Sequence, residues 1–300
     1  MALFKKNYRE TNARRVFKVF NYIFCVLVAA LCLFPMLHIL ALSFSKSEFV
    51  NTNQVVLLPK GFTTVAYTDL LGNSQFFVSM GISVKRVFLG LIINMTLIIL
   101  CAYPLSLNSM RFGARQFYVW FFVFTMLFSG GLIPTYLVVS RLKLINSIFA
   151  LVLPGAVQVM NVVLLQNFMK ALPYEITEAA FVDGAGHWRT LVQIILPLCK
   201  PSVAAISLFV MVGHWNEWFN GIIYMNNTKL YPLQSFLQTQ ITDFTSAEIN
   251  QAVLEAQAER AAAASNRAAQ MFLAMIPILC VYPFLQKHFT KGIVMGSVKG

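Results

Sequence analysis

The residues best suited to chemistry in this chain form a short polar stretch inside a long apolar segment. Residues 214–220 read HWNEWFN and interrupt an otherwise apolar run. A carboxylate at membrane depth costs a few kcal/mol, so Glu217 is expected to face protein or water rather than lipid. Asn216 and Asn220 have the spacing that puts two side chains on one face of a helix. Aromatic rings beside hydrogen-bonding groups suit ligands such as sugars, which present both C–H faces and hydroxyls.

Two interpretations of this polar stretch stay open at the level of sequence. In the first, the polar groups join helices to one another, and the Trp residues pack or lie at the membrane interface. In the second, the stretch lines a pathway through the membrane. The candidate pathway residues are Trp215, Asn216, Glu217, Trp218 and Asn220.

Catalytic and metal-binding patterns do not emerge elsewhere. The chain has four His and five Cys, and none of them has zinc-ligand spacing or belongs to a Ser–His–Asp arrangement. A membrane-embedded enzyme would need reactive side chains that converge, and the apolar segments offer almost none. No phosphate-binding GxxxxGK[ST] motif occurs, so no nucleotide site is expected on this chain.

The composition places these residues in a membrane protein. Of 300 residues, 58% are hydrophobic and only 11% are charged, whereas a soluble domain carries about 25% charged residues. Six stretches approach or exceed the ~20 apolar residues that cross a bilayer as a helix. They are approximately Phe20–Leu42, Val87–Leu107, Phe117–Ser140, Leu144–Met169, Pro201–Met225 and Ala268–Leu285.

The positive charges predict the orientation of these spans. Six Lys and Arg precede the first span, which places residues 1–19 in the cytoplasm by the positive-inside rule. An even number of spans returns the tail, residues 286–300, to the same side, with outside loops at 43–86 and 226–267. The net charge of +12 flanks the spans, so it is attributed to orientation and lipid contact rather than to nucleic acid. A helix is also expected to start near Thr245, where Glu248 completes capping-box spacing.

The largest cytoplasmic connection, residues 173–197, has an unusual order of residues. After Pro173 a short amphipathic helix is expected over Glu175–Val182, and the Gly184-Ala185-Gly186 that follows can turn sharply. A second short helix is expected over His187–Ile195. Two short helices that meet at a glycine make a compact knob, which can either lie on the bilayer surface or enter a groove in a partner.

The order of residues in this knob resembles the EAA motif of ABC importer permeases. The matching residues are Glu178-Ala179-Ala180, Asp183-Gly184-Ala185 and Ile195-Leu196-Pro197. The six-span layout and the ending GSVKG resemble carbohydrate importer permeases of the maltose-importer type. The stretch from Gly213 to Gly221 is similar to the oligosaccharide and polysaccharide branch, the LplC- and YtcP-like permeases. The resemblance implies an all-α integral membrane fold, the type I ABC importer permease fold, with six transmembrane helices and both termini cytoplasmic.

The resemblance also implies a mechanism and partners. The knob would be a coupling helix that sits in a cleft of an ATPase subunit, and the tail would reach the ATPase dimer interface. The implied partners are a second permease subunit, two ATPase subunits, an extracytoplasmic sugar-binding protein and the lipid of a bacterial plasma membrane. ATP and Mg would be bound by the ATPase subunits. The residues that would contact or shape contact with the ATPase are Glu178, Ala179, Ala180, Asp183, Gly184, Val298, Lys299 and Gly300.

A self-sufficient secondary transporter is the competing hypothesis. Such transporters commonly show internal repeats and ion-coupling residues at the midplane of the membrane. This chain shows no repeat, and Glu217 is the single carboxylate within a predicted span.

Overall fold

The computed structural model describes residues 11–108, 112–249, 264–281 and 283. Within these ranges the chain is helical, with one isolated β-bridge between Ser45 and Phe62 and no β-strand. The expectation of an all-α chain therefore holds for the part of the chain that the structure describes. The chain divides into two compact units, which are described separately.

The first unit comprises residues up to Gly72 together with residues 251–273. Its long helix exposes apolar side chains along most of its length, as a helix in contact with lipid does. Near the end of that helix, Ala41 packs with Val50 and Val55 in a small core. The helices that begin in this unit are α1 (Asn12–Ser43), α2 (Ser47–Asn51), α3 (Val65–Gly72) and α14 (Ala264–Val281), of which α14 continues past residue 273.

The second unit comprises residues 73–250 and the chain from Ala274 onward. Its α-helices are α4 (Ser74–Ser106), α5 (Arg115–Leu127), α6 (Leu132–Arg141), α7 (Val159–Lys170), α8 (Tyr174–Val182), α9 (His187–Thr190), α10 (Leu196–Leu198), α11 (Lys200–Asn216), α12 (Phe219–Tyr224) and α13 (Leu233–Ile249). Short 3-10 turns lie at Ile148–Leu151 and Thr228–Leu230, and a π-helical turn at Leu191–Ile195 joins α9 to α10.

Helix α4 is the central element of the second unit. Its 33 residues span about 50 Å at 1.5 Å per residue, more than the ~30 Å of a bilayer core. The Asn73 side chain caps its start by accepting a hydrogen bond from the Phe76 amide. It packs against α7 and α11, and Ile98, Leu165 and Ile206 in this core have no exposed surface.

The predicted spans are less regular than their composition suggests. Among the described residues, three helices, α1, α4 and α14, are long and apolar enough to cross a membrane. Up to five spans are obtained if each of two bent helix pairs is counted as one: α5 with α6, bent by 110°, and the helical run His187–Leu198 with α11, bent by 84°.

Two expectations about these segments are corrected. The stretch 117–140 is not one helix, because Gly131 takes a positive φ of 85° between α5 and α6. The stretch 144–169 becomes a 3-10 turn, an irregular segment around Pro154 and Gly155, and the 12-residue helix α7. Proline and glycine interrupt helices even where the composition is apolar.

The two long outside segments are also more helical than expected. Helix α4 begins at Ser74, so the part of segment 43–86 from Ser74 onward is helix rather than loop. In segment 226–267, α13 begins at Leu233 and not near Thr245. The expected start at Thr245 is wrong, because the helix already runs through that position.

Candidate functional site: a helix break and a coupling segment

The polar stretch of residues 214–220 lies at a break between two helices. Helix α11 ends at Asn216 and α12 begins at Phe219. Glu217 between them has an extended ψ of 117°. Non-helical backbone at membrane depth must find hydrogen-bond partners within the protein. The side chains around this break supply those partners.

Arg86 of α4 provides the largest share of these hydrogen bonds. Its guanidinium donates to the Glu217 carbonyl oxygen at 2.8 Å, to Glu217 Oε2 at 2.5 Å and to the Leu151 carbonyl oxygen at 3.2 Å. Arg86 is 1% exposed. A planar fork of five N–H groups can serve several acceptors at once, which an ammonium group on a flexible stem does less well. Arg86 thereby joins α4 to the break and to the 3-10 turn that ends at Leu151.

Further bonds complete the break. Glu217 Oε1 accepts from the Asn220 amide at 2.8 Å, in the first turn of α12, where a negative charge also complements the helix dipole. Ser235 of α13 donates its hydroxyl to the Trp218 carbonyl oxygen at 2.6 Å. Glu217 is thus compensated by a cation and a backbone amide, in agreement with the expectation that it faces protein or water.

A second polar contact lies along the same pair of helices, α4 and α11. The His214 ring lies 3.1 Å from the Asn94 side-chain amide, and both residues are buried. Gly90 lies so close to the same ring that a Cβ at this position would overlap the imidazole. Arg86, Gly90 and Asn94 follow one another at intervals of four and so share one face of α4.

The candidate pathway residues divide into two groups. Trp215 is buried and donates its indole N–H to the Ala274 carbonyl oxygen at 3.1 Å, while Glu217 and Asn220 are partly buried at the break. Asn216 and Trp218 are exposed. The geometry therefore favours interhelical contacts for Trp215 and Glu217, and it leaves Asn216 and Trp218 accessible to a ligand.

At the opposite end of α4, residues 173–197 fold into the two expected short helices. Pro173 precedes α8, and α8 ends in a Schellman motif: the Gly184 amide donates to the Phe181 carbonyl at 3.1 Å, and the Ala185 amide donates to the Ala180 carbonyl at 2.9 Å. Gly184 takes a φ of 78°, which a glycine adopts without strain. Gly186 then precedes α9 as its N-cap residue. The bend at Gly184 is confirmed.

The exposure of this segment shows which residues a partner could touch. Glu178, Ala179, Asp183 and Gly184 are exposed, whereas Ala180 is 6% exposed and packs within the chain. Ala180 can therefore shape the segment but lies beneath its surface. Of the large apolar side chains exposed on the same segment, the two most exposed were passed over by sequence reasoning: Val182 at 82% and Trp188 at 70%. Their position on either side of Gly184 in a polar connection was the available signal.

The segment is fastened to the end of α4. Tyr103 and His187 form a hydrogen bond of 3.2 Å, and the His187 ring meets Phe181 edge to face at a centroid distance of 5.0 Å. Further along, Cys199 is buried in the core of this unit. The segment is thus in direct side-chain contact with α4.

Val298, Lys299 and Gly300, the other residues assigned to ATPase contact, lie outside the described residues.

Replacement of Gly184 by Ala tests the turn. A Cβ at position 184 would have no neighbour within 4 Å, so the loss of stability comes from the positive φ alone and is about 1 kcal/mol. We expect faster hydrogen–deuterium exchange over residues 181–186. Gly186→Ala is the matched control, because Gly186 has a φ of −71° and equally open surroundings, and it should leave exchange unchanged. Equal effects of the two changes would contradict the assignment.

A helical chain with apolar spans, a hydrogen-bonded break within one span and an exposed helix–glycine–helix segment defines a membrane transport subunit. Comparisons with known proteins identify its kind. Protein LplC of Bacillus subtilis (strain 168) is 37% identical over 293 residues, 97% of this chain and 97% of that protein. The polygalacturonan/rhamnogalacturonan transport system permease protein YtcP of the same organism is 37% identical over 286 residues, 95% of this chain and 99% of that protein.

Solved structures agree with these relatives. A bacterial ABC transporter involved in the import of the acidic polysaccharide alginate contains a chain that superposes with a TM-score of 0.82 at 27% identity, covering 94% of this chain and 100% of that one. No protein-family model matches the chain. The chain belongs to the permease subunits of sugar-importing ABC transporters. The hypothesis drawn from the EAA motif is confirmed, and the alternative of a self-sufficient secondary transporter is wrong.

Proposed function

We propose that this permease subunit has six transmembrane spans and cytoplasmic termini, and that it works in a bacterial plasma membrane. The basic N-terminus supports this orientation. The bent pair α5–α6 and the broken pair α11–α12 then each count as one span, and the irregular segment together with α7 forms the sixth. The coupling segment lies on the cytoplasmic side, and the helix break lies toward the opposite end of α4.

The exposed turn at Gly184 is the observation that supports coupling to an ATPase. Glu178, Ala179 and Asp183 present a small polar surface that fits a cleft in an ATPase subunit. Val182 and Trp188 add exposed apolar area beside it. The tail residues Val298–Gly300 reach the interface between two ATPase copies. ATP and Mg²⁺ are bound by those subunits and not by this chain, and closure of the ATPases moves the segment and α4 with it.

The remaining partners follow from the architecture of such importers. A second, different permease subunit pairs with this one, and an extracytoplasmic binding protein delivers the sugar. Asn216 and Trp218 line the path, with Trp215, Glu217 and Asn220 behind them. A ligand shifts an alternating-access equilibrium only through different affinities for the two states, so these accessible residues need not bind the sugar tightly.

The substrate that the surface supports best is an acidic oligosaccharide or polysaccharide. Arg141 ends α6, Lys143 lies in the loop that follows and Lys229 lies in a second loop; all three are exposed at the end of the unit that carries the break. The loops are joined by hydrogen bonds from the Asn146 amide to the Tyr224 carbonyl and from the Asn226 amide to Asn146 Oδ1. Neither loop contains Asp or Glu over residues 140–147 and 226–231. Relatives of this chain serve polygalacturonan and alginate, which are acidic polymers.

Reconstitution in liposomes tests the function as a whole. The complex of two permeases and two ATPases should take up an oligogalacturonide that the binding protein delivers. Uptake should require ATP and Mg²⁺ on the side of the membrane where the ATPases lie. Omission of any partner should stop uptake. Uptake driven by an ion gradient without the ATPases would overturn the proposal.

Neutralising the three cations tests the substrate class. The variant Arg141→Gln/Lys143→Gln/Lys229→Gln should lower the initial uptake rate of an oligogalacturonide at least threefold at low salt, because cations concentrate an anionic substrate at the entrance. The difference should shrink as salt rises, since exposed charges are screened. Uptake of a neutral galacto-oligosaccharide, if any, should not change, and Lys60→Gln, an exposed lysine of the other unit, is the control. Equal losses for both sugars would contradict an electrostatic role.

A further inference from the structure

At the break between α11 and α12, Arg86 supplies the hydrogen bond that the Glu217 carbonyl oxygen accepts. The Glu217 carbonyl follows the last residue of α11, and the Leu151 carbonyl ends a 3-10 turn. Carbonyls at helix ends have no partner within their own helix. The Arg86 guanidinium donates to both, and a cation is also favoured at a helix C-terminus.

The same guanidinium holds the Glu217 carboxylate in place. One carboxylate oxygen accepts from Arg86 and the other from the Asn220 amide at the start of α12. The Arg86–Glu217 pair therefore stabilises both the end of α11 at Asn216 and the start of α12 at Phe219. Trp218 lies between α11 and α12, and 40% of its surface is exposed.

We propose that Arg86 is a positioning residue of the transport pathway, which holds the α11–α12 break open so that Asn216 and Trp218 stay accessible. The inference rests on the proposed pathway role of those two residues. Arg86 itself is buried and does not touch the sugar. Without its three hydrogen bonds, the freed carbonyl of Glu217 finds a partner most readily if the helix continues through residues 217–218. Continuation rotates Trp218 to a different face of the helix.

Thiol accessibility in the assembled complex tests this role without any sugar. Asn216→Cys and Trp218→Cys are made in a chain whose five native cysteines are replaced by Ala or Ser. Labelling by the charged reagent MTSET is then compared between Arg86 and Arg86→Lys. Lysine keeps the charge but lacks the fork that serves three acceptors. We expect labelling at position 218 to fall at least fivefold.

Two controls separate positioning from general stability. Ser140→Cys, exposed at the end of α6, should be labelled at the same rate within twofold in both backgrounds. Glu217→Gln retains an oxygen for the Asn220 amide, so it should change labelling at 218 less than Arg86→Lys does. Each variant complex is first shown to assemble by size-exclusion chromatography.

Unchanged labelling at 216 and 218 in an assembled Arg86→Lys complex would overturn the proposal and leave Arg86 as a stabilising residue alone. A uniform change at all three positions, including Ser140→Cys, would do the same. Because the readout needs neither ATP nor substrate, it decides the role of Arg86 even if uptake of acidic sugars fails.

Discussion

Replacing Glu178 by Lys should lower ATP-driven sugar uptake at least tenfold while the permease remains folded and inserted in the membrane. The side chain is exposed on α8, so the change removes no packing within the chain. If the proposed docking of this surface in an ATPase cleft holds, a reversed charge there costs several kcal/mol of association free energy. If α8 no longer docks on the ATPase, ATP hydrolysis is also expected to be uncoupled from movement of α4. Uptake and substrate-stimulated ATPase activity are measured in proteoliposomes, and docking is measured by co-purification of the ATPase.

Glu48→Lys is the matched control for this prediction. It makes the same chemical change at an exposed glutamate in the short helix α2 of the other unit. Uptake with this variant should stay within twofold of the unmodified complex. Normal uptake with Glu178→Lys, or equal losses in both variants, would show that α8 is not the site of coupling.

The coupling segment could be predicted from sequence because its structure is determined locally. Pro173 before the helix, the glycine after it and the intervening amphipathic pattern all act within a few residues of one another. The structure places the bend at Gly184, as expected. What sequence could not supply is the direction in which Ala180 faces, because this depends on packing against the rest of the unit.

The helix breaks were not predictable in the same way. Composition and length describe the stretches 117–140 and 144–169 as spans, yet α5 and α6 meet at 110° and α7 has only 12 residues. Gly131 and Pro154 are local signals that permit a break. Whether the chain bends there depends on partners far away in sequence, which satisfy the exposed backbone groups.

Arg86 illustrates the limit most clearly. A cation is costly in a membrane, so the sequence places it in a loop just before the second span. In the structure it lies inside α4 and is neutralised by a carboxylate that follows 131 positions later in the chain. Glu217 and Arg86 are each anomalous alone, and their pairing is a property of the tertiary structure. A basic residue at one end of a span and a single acidic residue in another is the pattern that could have suggested it.

Gly90→Leu should strongly lower the stability of the second unit. At Gly90 a Cβ would overlap the His214 ring, so even the first added carbon forces α4 and α11 apart. Overpacking a filled interface costs roughly 1–3 kcal/mol, and more where the backbone has to shift. The His214–Asn94 hydrogen bond lies at the same contact, and its loss would leave buried polar groups unpaired. We expect a clear drop in the midpoint of thermal unfolding, measured by size-exclusion chromatography of heated detergent extracts.

Gly81→Leu is a control on the same helix. Its position is exposed, and no atom lies within 4 Å of a built Cβ, so an added side chain enters open space. The thermal midpoint of this variant should stay close to that of the unmodified chain. A comparable loss for Gly81→Leu would attribute the effect to leucine in α4 rather than to the contact with His214.

A double change then identifies His214 as the group that fills the space beside Gly90. Gly90→Ala alone should lower the midpoint, whereas His214→Ala removes the ring with which the new methyl group collides. In the double variant the effect of Gly90→Ala should therefore be smaller than in the native background, which gives a favourable coupling between the two changes. Additive losses would mean that the helices relax around the ring without difficulty. In that case the close approach of α4 to α11 would not depend on the absence of a side chain at position 90.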